Sequence, residues 1–338
     1  MKKILLVFGT RPEAIKMAPL VKEFQKDTEH FETKVCVTAQ HRQMLDQVLE
    51  VFGITPDYDL NIMAPNQDLY DITSKVLLGL RDVLKDFAPD VVLVHGDTTT
   101  SMAASLAAFY RQIAVAHVEA GLRTYDMLSP WPEEMNRQIT GRIASYHFAP
   151  TELSRRNLLG EGVDPGKILV TGNTVIDALK TTVREDYKFS TDELNHLPYG
   201  EKKIILVTCH RRENYGEPMR NIMLALAQIA REHEDVELVY PVHLSPVVRE
   251  AVDTYLRGTP RVHLIDPLPA DEMHNLMARC YMVMTDSGGL QFCRKRLLLW
   301  ASLCWYCAGR RSVLRLWRPG RCAWRAWSRR TSWPWPGS

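Results

Sequence analysis

Short runs of Val, Ile and Leu alternate with longer amphipathic stretches along most of this chain, and that alternation constrains the fold more than any other feature. Runs at 4–8, 34–38, 91–95, 113–118, 146–149 and 168–170 are predicted strands, and stretches at 13–27, 40–52, 69–87, 99–111, 134–144 and 152–160 read as helices. Strand, helix and strand in this order build a parallel sheet with helices on both faces. A helix at 174–184 and a polar, irregular stretch at 185–202 come next. Then the pattern restarts, with strands at 204–208, 236–242, 262–265 and 281–285 and helices at 219–233, 246–256 and 271–279. The expected architecture is α/β, with two Rossmann-like domains at 1–175 and 176–290 whose strand ends face a shared cleft, where open α/β sheets bind ligands.

The alternation stops at Gln291. The 48 residues from there to Ser338 hold seven of the eight Trp, four of the seven Cys and eleven of the 42 Lys and Arg, but no Asp, Glu or His. The preceding residues carry 31 basic against 40 acidic side chains, so the overall charge of +2 averages two unlike pieces. Folded surfaces normally mix both signs. Arg for phosphates and Trp for stacking would suit a nucleic-acid or membrane arm, but back-translation supports a different origin. Arg294 to Leu303 can be encoded so that a frame starting two nucleotides later reads E-E-A-P-S-L-G-K-P, and onward from Cys304 it permits V-L-V-L-R and, one residue on, T-T-E-R-P-E. That frame holds a strand-like run and a turn, with both charge signs. The segment 291–338 is therefore read as a non-native, frameshifted tail. It leaves the second domain incomplete and the strand ending at Thr285 with an open edge, and the chain as written is expected to be inactive.

Two domains suit the remaining length. The apolar run at 4–8 is too short for a signal-peptide core, and no apolar stretch reaches the length of a membrane span, so a cytoplasmic protein with no membrane or nucleic-acid partner is expected. Cys36, Cys209 and Cys280 are scattered and odd in number, against a disulfide framework. Cys304 and Cys307 form a C-x-x-C without a second ligand pair, so no metal site is expected. Neither G-x-G-x-x-G in the first turn nor a Walker A motif is present, which weighs against a dinucleotide enzyme or a P-loop NTPase.

Polar residues gather where strands end. The first strand runs into Gly9-Thr10-Arg11-Pro12-Glu13, with Lys16 one turn into the helix. Exposed amides at a helix start beside two cations suit an anion, though a tight turn with solvated charges has the same composition. Asp97, in His95-Gly96-Asp97-Thr98-Thr99, is either a catalytic carboxylate or a helix N-cap. Glu119, in His117-Val118-Glu119-Ala120-Gly121-Leu122-Arg123, either joins Asp97 as an acid–base pair or simply pairs with Arg123. Glu133 and Glu134 open another helix, where acidic residues often only complement the dipole. His210 follows the strand at 204–208, and histidine, as a residue type, suits a proton carrier or phosphate ligand. Asp286-Ser287-Gly288-Gly289 ends the last strand, with glycines that let backbone approach a phosphate. His243 is given no role.

Taken together, GTRPEAIK, HGDTTT, HVEAGLRT, PWPEEMNR, TGNTVIDAL, HRREN, YPVH and DSGG resemble the non-hydrolysing bacterial UDP-N-acetylglucosamine 2-epimerases, from about residue 1 to Gln291. The resemblance implies the two-domain GT-B fold, a cytoplasmic homodimer, and interconversion of UDP-GlcNAc and UDP-ManNAc for cell-surface polysaccharide, with no redox cofactor or metal. By matching motif, Asp97, Glu119 and Glu133 resemble the acid–base carboxylates and His210 the essential histidine near the diphosphate. Arg11, Lys16, Arg137, Ser287 and Gly288 correspond to nucleotide and phosphate contacts. The family continues after DSGG-x-Q with two glutamates, the second resembling a ribose ligand, where this chain has Phe292 and Cys293. A GT-B glycosyltransferase and a hydrolysing 2-epimerase are the alternatives.

Overall fold

The computed structural model describes residues 1–39, 42–211 and 214–286, together with the backbone of three strands at 303–308, 313–318 and 321–326. The chain forms two compact units, Met1–Thr181 and Thr182–Ser338.

The first unit alternates β1 (Lys2–Phe8), α1 (Arg11–Lys26), β2 (Phe31–Val37), α2 (Arg42–Phe52), β3 (Tyr58–Asp59), α3 (Leu69–Phe87), β4 (Val91–His95) and α4 (Thr99–Tyr110). It continues through β5 (Ala114–Val118), α5 (Glu133–Ile143), β6 (Tyr146–Ala149), α6 (Glu152–Gly160), β7 (Ile168–Val170) and α7 (Val175–Thr182). The sheet order is β3-β2-β1-β4-β5-β6-β7, and every pairing is parallel. From β1 the chain builds outward to β3, then returns to add β4 on the other side of β1. The carboxyl ends of β1 and β4 thus flank the point where the order reverses, the usual ligand position in such sheets.

Alternate residues of β1 serve opposite faces. Ile4, Leu6 and Phe8 pack with Met17, Val21, Val35 and Leu45, whereas Leu5 and Val7 pack with Val76, Leu80, Val92 and Val94. Burial on both faces explains why β1 reads as an unbroken apolar run. Gly9, where β1 turns into α1, has no room for a side chain: an added Cβ would collide with the Thr38 hydroxyl and lie 2.8 Å from Thr100 Oγ1. Gly9→Ala is expected to lower stability by about 1–3 kcal/mol through overpacking, read as an earlier midpoint in chemical denaturation.

The second unit holds α8 (Asp192–Asn195), β8 (Lys203–Thr208), α9 (Glu217–Glu232), β9 (Val236–Pro241), α10 (Pro246–Tyr255), β10 (Val262–Ile265), α11 (Ala270–Arg279) and β11 (Met282–Thr285). Its strands run β10-β9-β8-β11, all parallel. The edge expected to stay open beside β11 is covered: β12 (Leu303–Ala308) pairs with it in parallel, and β13 (Val313–Arg318) and β14 (Arg321–Ala326) follow antiparallel. β12 falls where the shifted frame reads V-L-V-L-R; in either frame the stretch is rich in strand formers, which satisfies β11's free backbone groups.

The stretch expected to be irregular, 185–202, is ordered by α11 and includes α8. Asn275 accepts the Arg184 N–H at 2.8 Å and donates to the Thr182 carbonyl at 2.9 Å, while Glu272 accepts the Ser190 N–H at 2.7 Å. Arg279 donates to the Tyr187 carbonyl and lies over the Phe189 ring. Side chains from a helix about ninety residues later take over what a neighbouring strand would do, so local periodicity carries no trace of the order.

Candidate acid–base site

The β1–α1 turn is built around Glu13. Its Oε2 accepts the N–H groups of Gly9 at 3.0 Å and Thr10 at 2.8 Å, the reach-back half of a capping box. Its Oε1 accepts the hydroxyls of Thr98 at 2.6 Å and Ser101 at 3.1 Å, so one carboxylate ties the β1–α1 turn to the start of α4. Burial raises the pKa of this carboxyl, and the hydrogen bonds from Thr98, Gly9 and Thr10 oppose the rise. Thr98 also caps α4 by accepting the Ser101 N–H at 3.1 Å. Asp97 is therefore released from the capping role that its position allowed.

Asp97 instead meets α5. Its Oδ2 accepts Arg137 Nη2 at 2.6 Å and Nε at 3.0 Å, and its carbonyl accepts Asn136 Nδ2 at 2.9 Å. Arg137 extends to Glu134 at 3.2 Å. Glu134, fully buried, also accepts the N–H groups of Thr124 at 3.0 Å and Tyr125 at 3.2 Å, and so fixes the loop that leads into α5. Burial works against its charge, but Gln138, these amides and Arg137 hold it below the ordinary carboxylate range. Glu133 is only partly buried, yet its Oε2 is enclosed without a hydrogen-bond partner among the described residues.

Glu119 follows β5 with φ +63°, a left-handed conformation that costs a non-glycine residue ~1–3 kcal/mol. Both of its oxygens accept Lys16 Nζ at 2.8 Å, Asn173 Nδ2 donates to Oε1, and His95 Nε2 lies 3.4 Å from Oε2. Burial alone would raise this carboxyl, but the Lys16 charge, His95 and the hydrogen bonds outweigh it and bring the pKa down to about 2. Burial and the neighbouring Lys16 charge drop His95 to about 3, so the ring beside Glu119 is neutral at physiological pH. A Cβ on Gly96 would lie 3.4 Å from Glu119 Oε2; glycine, at φ +66°, lets the Asp97 turn pass close to this carboxylate. His117, also neutral, bonds the Gly96 carbonyl through Nε2 at 2.7 Å and steadies the same turn.

Lys16 and Glu119 are thus brought together, as are Arg137 and Asp97, while Arg11 occupies the first turn of α1. The Glu119–Arg123 pairing that sequence proximity allowed does not form: Arg123 lies buried against Glu161, with bonds of 2.7 and 2.9 Å. Glu134 and Asn173 carry no local signal of their roles, whereas the T-x-x-E spacing of Thr10 and Glu13 does.

In the second unit, Asp286 Oδ2 accepts the N–H groups of His210 at 2.9 Å and Arg211 at 2.8 Å, and Asn214 Nδ2 at 3.0 Å. The end of β11 thereby shapes the turn after β8. His210 is exposed there, its ring stacked on His243 with centroids 5.2 Å apart. Burial and the nearby His210 lower the pKa of His243. Ser287 and Gly288 lie outside the described residues.

Comparison with known proteins bears on this geometry. The profile of a family described as UDP-N-acetylglucosamine 2-epimerase matches residues 22–297. A Bacillus subtilis UDP-N-acetylglucosamine 2-epimerase is 58% identical over 289 residues, 86% of this chain and 75% of the relative. The Escherichia coli K12 enzyme of that name is 57% identical over 294 residues, 86% of this chain and 78% of its own. The crystal structure of UDP-GlcNAc 2-epimerase from Neisseria meningitidis bound to UDP-GlcNAc aligns with TM-score 0.77 and 52% identity, covering 86% of this chain and 79% of that one. These likenesses extend over both units and far exceed what a shared fold alone produces, so the chain belongs to the UDP-N-acetylglucosamine 2-epimerase family and is a member of an isomerase family with the GT-B type of architecture.

Proposed function

We propose that this sequence encodes an enzyme that interconverts UDP-GlcNAc and UDP-ManNAc by eliminating UDP and adding it back. The observation that carries the reading is the pair of carboxylates, Asp97 and Glu119, set on adjacent strand ends beside the reversal of the sheet, each against its own cation. C2 of an N-acetylhexosamine has no adjacent carbonyl, so its proton is only feebly acidic. As the C1–O bond to UDP breaks, positive charge at C1 acidifies that proton. A carboxylate takes it, the C2–H electron pair forms the C1=C2 bond, and UDP leaves with the C1–O pair. Protonation of C2 from the opposite face, with return of UDP to C1, inverts the centre. This needs carboxylates on two faces, for which Asp97, Glu119 and Glu133 are the candidates, and cations for the departing diphosphate. Arg11, Lys16 and Arg137 in the first unit, and His210 with Ser287 and Gly288 in the second, are proposed for the nucleotide.

The proposal includes a cytoplasmic homodimer that feeds polysaccharide synthesis. Tyr70 and Leu78 on α3 and Phe109 and Tyr110 on α4, between 55% and 85% exposed, supply apolar surface for a second copy. It also includes the frameshift: a quarter of the B. subtilis relative's length has no match here, and the tail lacks every acidic residue. Turnover of UDP-GlcNAc by the frame-restored protein in D2O is expected to leave deuterium at C2 of the recovered UDP-sugars. Turnover with protium retained there rules out the mechanism, and a glycosyltransferase would leave the donor unlabelled.

A further inference from the structure

The pairing of Lys16 with Glu119 places one proposed diphosphate ligand on top of one proposed base. The ammonium gives hydrogen bonds to both carboxylate oxygens at 2.8 Å, and the side chains are only 12% and 9% exposed. An ammonium has three N–H groups, and two are committed here. A carboxylate gripped in this way by a desolvated cation is a poor proton acceptor, because taking a proton forfeits the strongest interaction it makes. Of the other groups against Glu119, His95 lowers the carboxyl less than Lys16 does and lies farther off, at 3.4 Å, and Asn173 contributes an amide N–H while its Oδ1 accepts the Val175 N–H at 3.0 Å.

We propose that Lys16 is an anion-released lock on Glu119: a diphosphate arriving at the α1 turn draws the ammonium away from the carboxylate, so that binding of the substrate itself switches the base on. The idea rests on the epimerase reading for the identity of the anion and adds to it the regulation of the base. Residue by residue it requires little movement. Lys16 sits in the second turn of α1, five residues after Arg11, and its long side chain can turn toward an anion by rotamer change alone, while the Gly9 and Thr10 amides stay bonded to Glu13. When the cation leaves, burial dominates at Glu119, and its affinity for a proton rises at the moment substrate is present. Without substrate, the charge stays neutralised and the buried carboxylate is not left uncompensated.

The test uses the 338-residue chain labelled with 13C at glutamate Cδ, with the Glu119 resonance assigned by its loss in Glu119→Gln, followed between about pH 5 and 8, where folded proteins are generally most stable. Glu119 is expected to show no titration in that window in the unmodified chain. Saturating inorganic pyrophosphate is expected to bring its midpoint into the window, an upward shift of at least ~3 units. Lys16→Met is expected to do the same without pyrophosphate and to respond no further to it, whereas Lys16→Arg restores the flat behaviour. A Glu119 resonance that stays flat with pyrophosphate in the unmodified chain overturns the lock, and that arm depends on no variant. The epimerase reading fails separately, by absence of C2 deuterium: label at C2 with a flat Glu119 removes the lock alone, and a responsive Glu119 without label removes the epimerisation alone.

Discussion

Glu119→Gln in the frame-restored protein is expected to lower kcat by ~10²–10⁴-fold, the usual contribution of a positioned acid or base, while UDP still binds. The amide keeps the shape of the side chain and its left-handed backbone, so the site is not remodelled by bulk. What changes is chemistry: the amide takes no proton at neutral pH, and its NH2 faces donors, Lys16 and Asn173, where an acceptor stood. Lys16 then loses its anion. If Lys16 serves the diphosphate, UDP affinity measured by calorimetry rises or holds while turnover collapses, a split that a misfolded variant does not produce. Asp97→Asn is expected to fall by a similar factor, because a proposed acid–base carboxylate is lost and Arg137 loses the charged oxygen that accepts both its Nε and its Nη2. Near-normal kcat in both variants would show that these carboxylates serve as ion pairs and nothing more.

The second large effect concerns the tail. The 338-residue chain is expected to turn over UDP-GlcNAc at least ~10²-fold more slowly than the frame-restored protein, since misplacing groups by about 1 Å already costs that much. Covering β11 with β12 removes an open edge as the cause. The loss is expected from missing groups: position 293 is Cys where the resemblance implies a ribose-binding carboxylate, and 291–338 offers no acidic side chain. Assay of the two proteins at equal concentration, with UDP binding measured in parallel, decides the matter. Equal rates would show that the tail is a functional element and that the frameshift reading is wrong.

Much of the fold was legible because buried parallel strands read as unbroken apolar runs, and β4, β5 and β8 lie within a residue of their predicted bounds. β2 begins at Phe31 rather than at 34, since its first four residues are only half-buried and mix polar with apolar side chains. β3 is two residues long and beyond any periodicity. In the site, sequence placed the carboxylates at strand ends but not their partners. Arg123, four residues from Glu119, was one counterion that the sequence allowed; the cation that reaches Glu119 is Lys16, 103 residues away. Electrostatic pairing depends on which strand ends become neighbours, and the order reversal beside β1 decides that.

The distances in sequence also set when the site can come into being during synthesis. Glu119 gains the last of its three partners only after Asn173 has been made, 54 residues after Glu119 itself. The four residues of the cluster, Lys16, His95, Glu119 and Asn173, span nearly all of Met1–Thr181. The turn bearing His210 waits longer, for Asp286, 76 residues on. A nascent chain that stalls between these two points contains every residue of the Glu119 cluster but not the carboxylate that shapes the His210 turn.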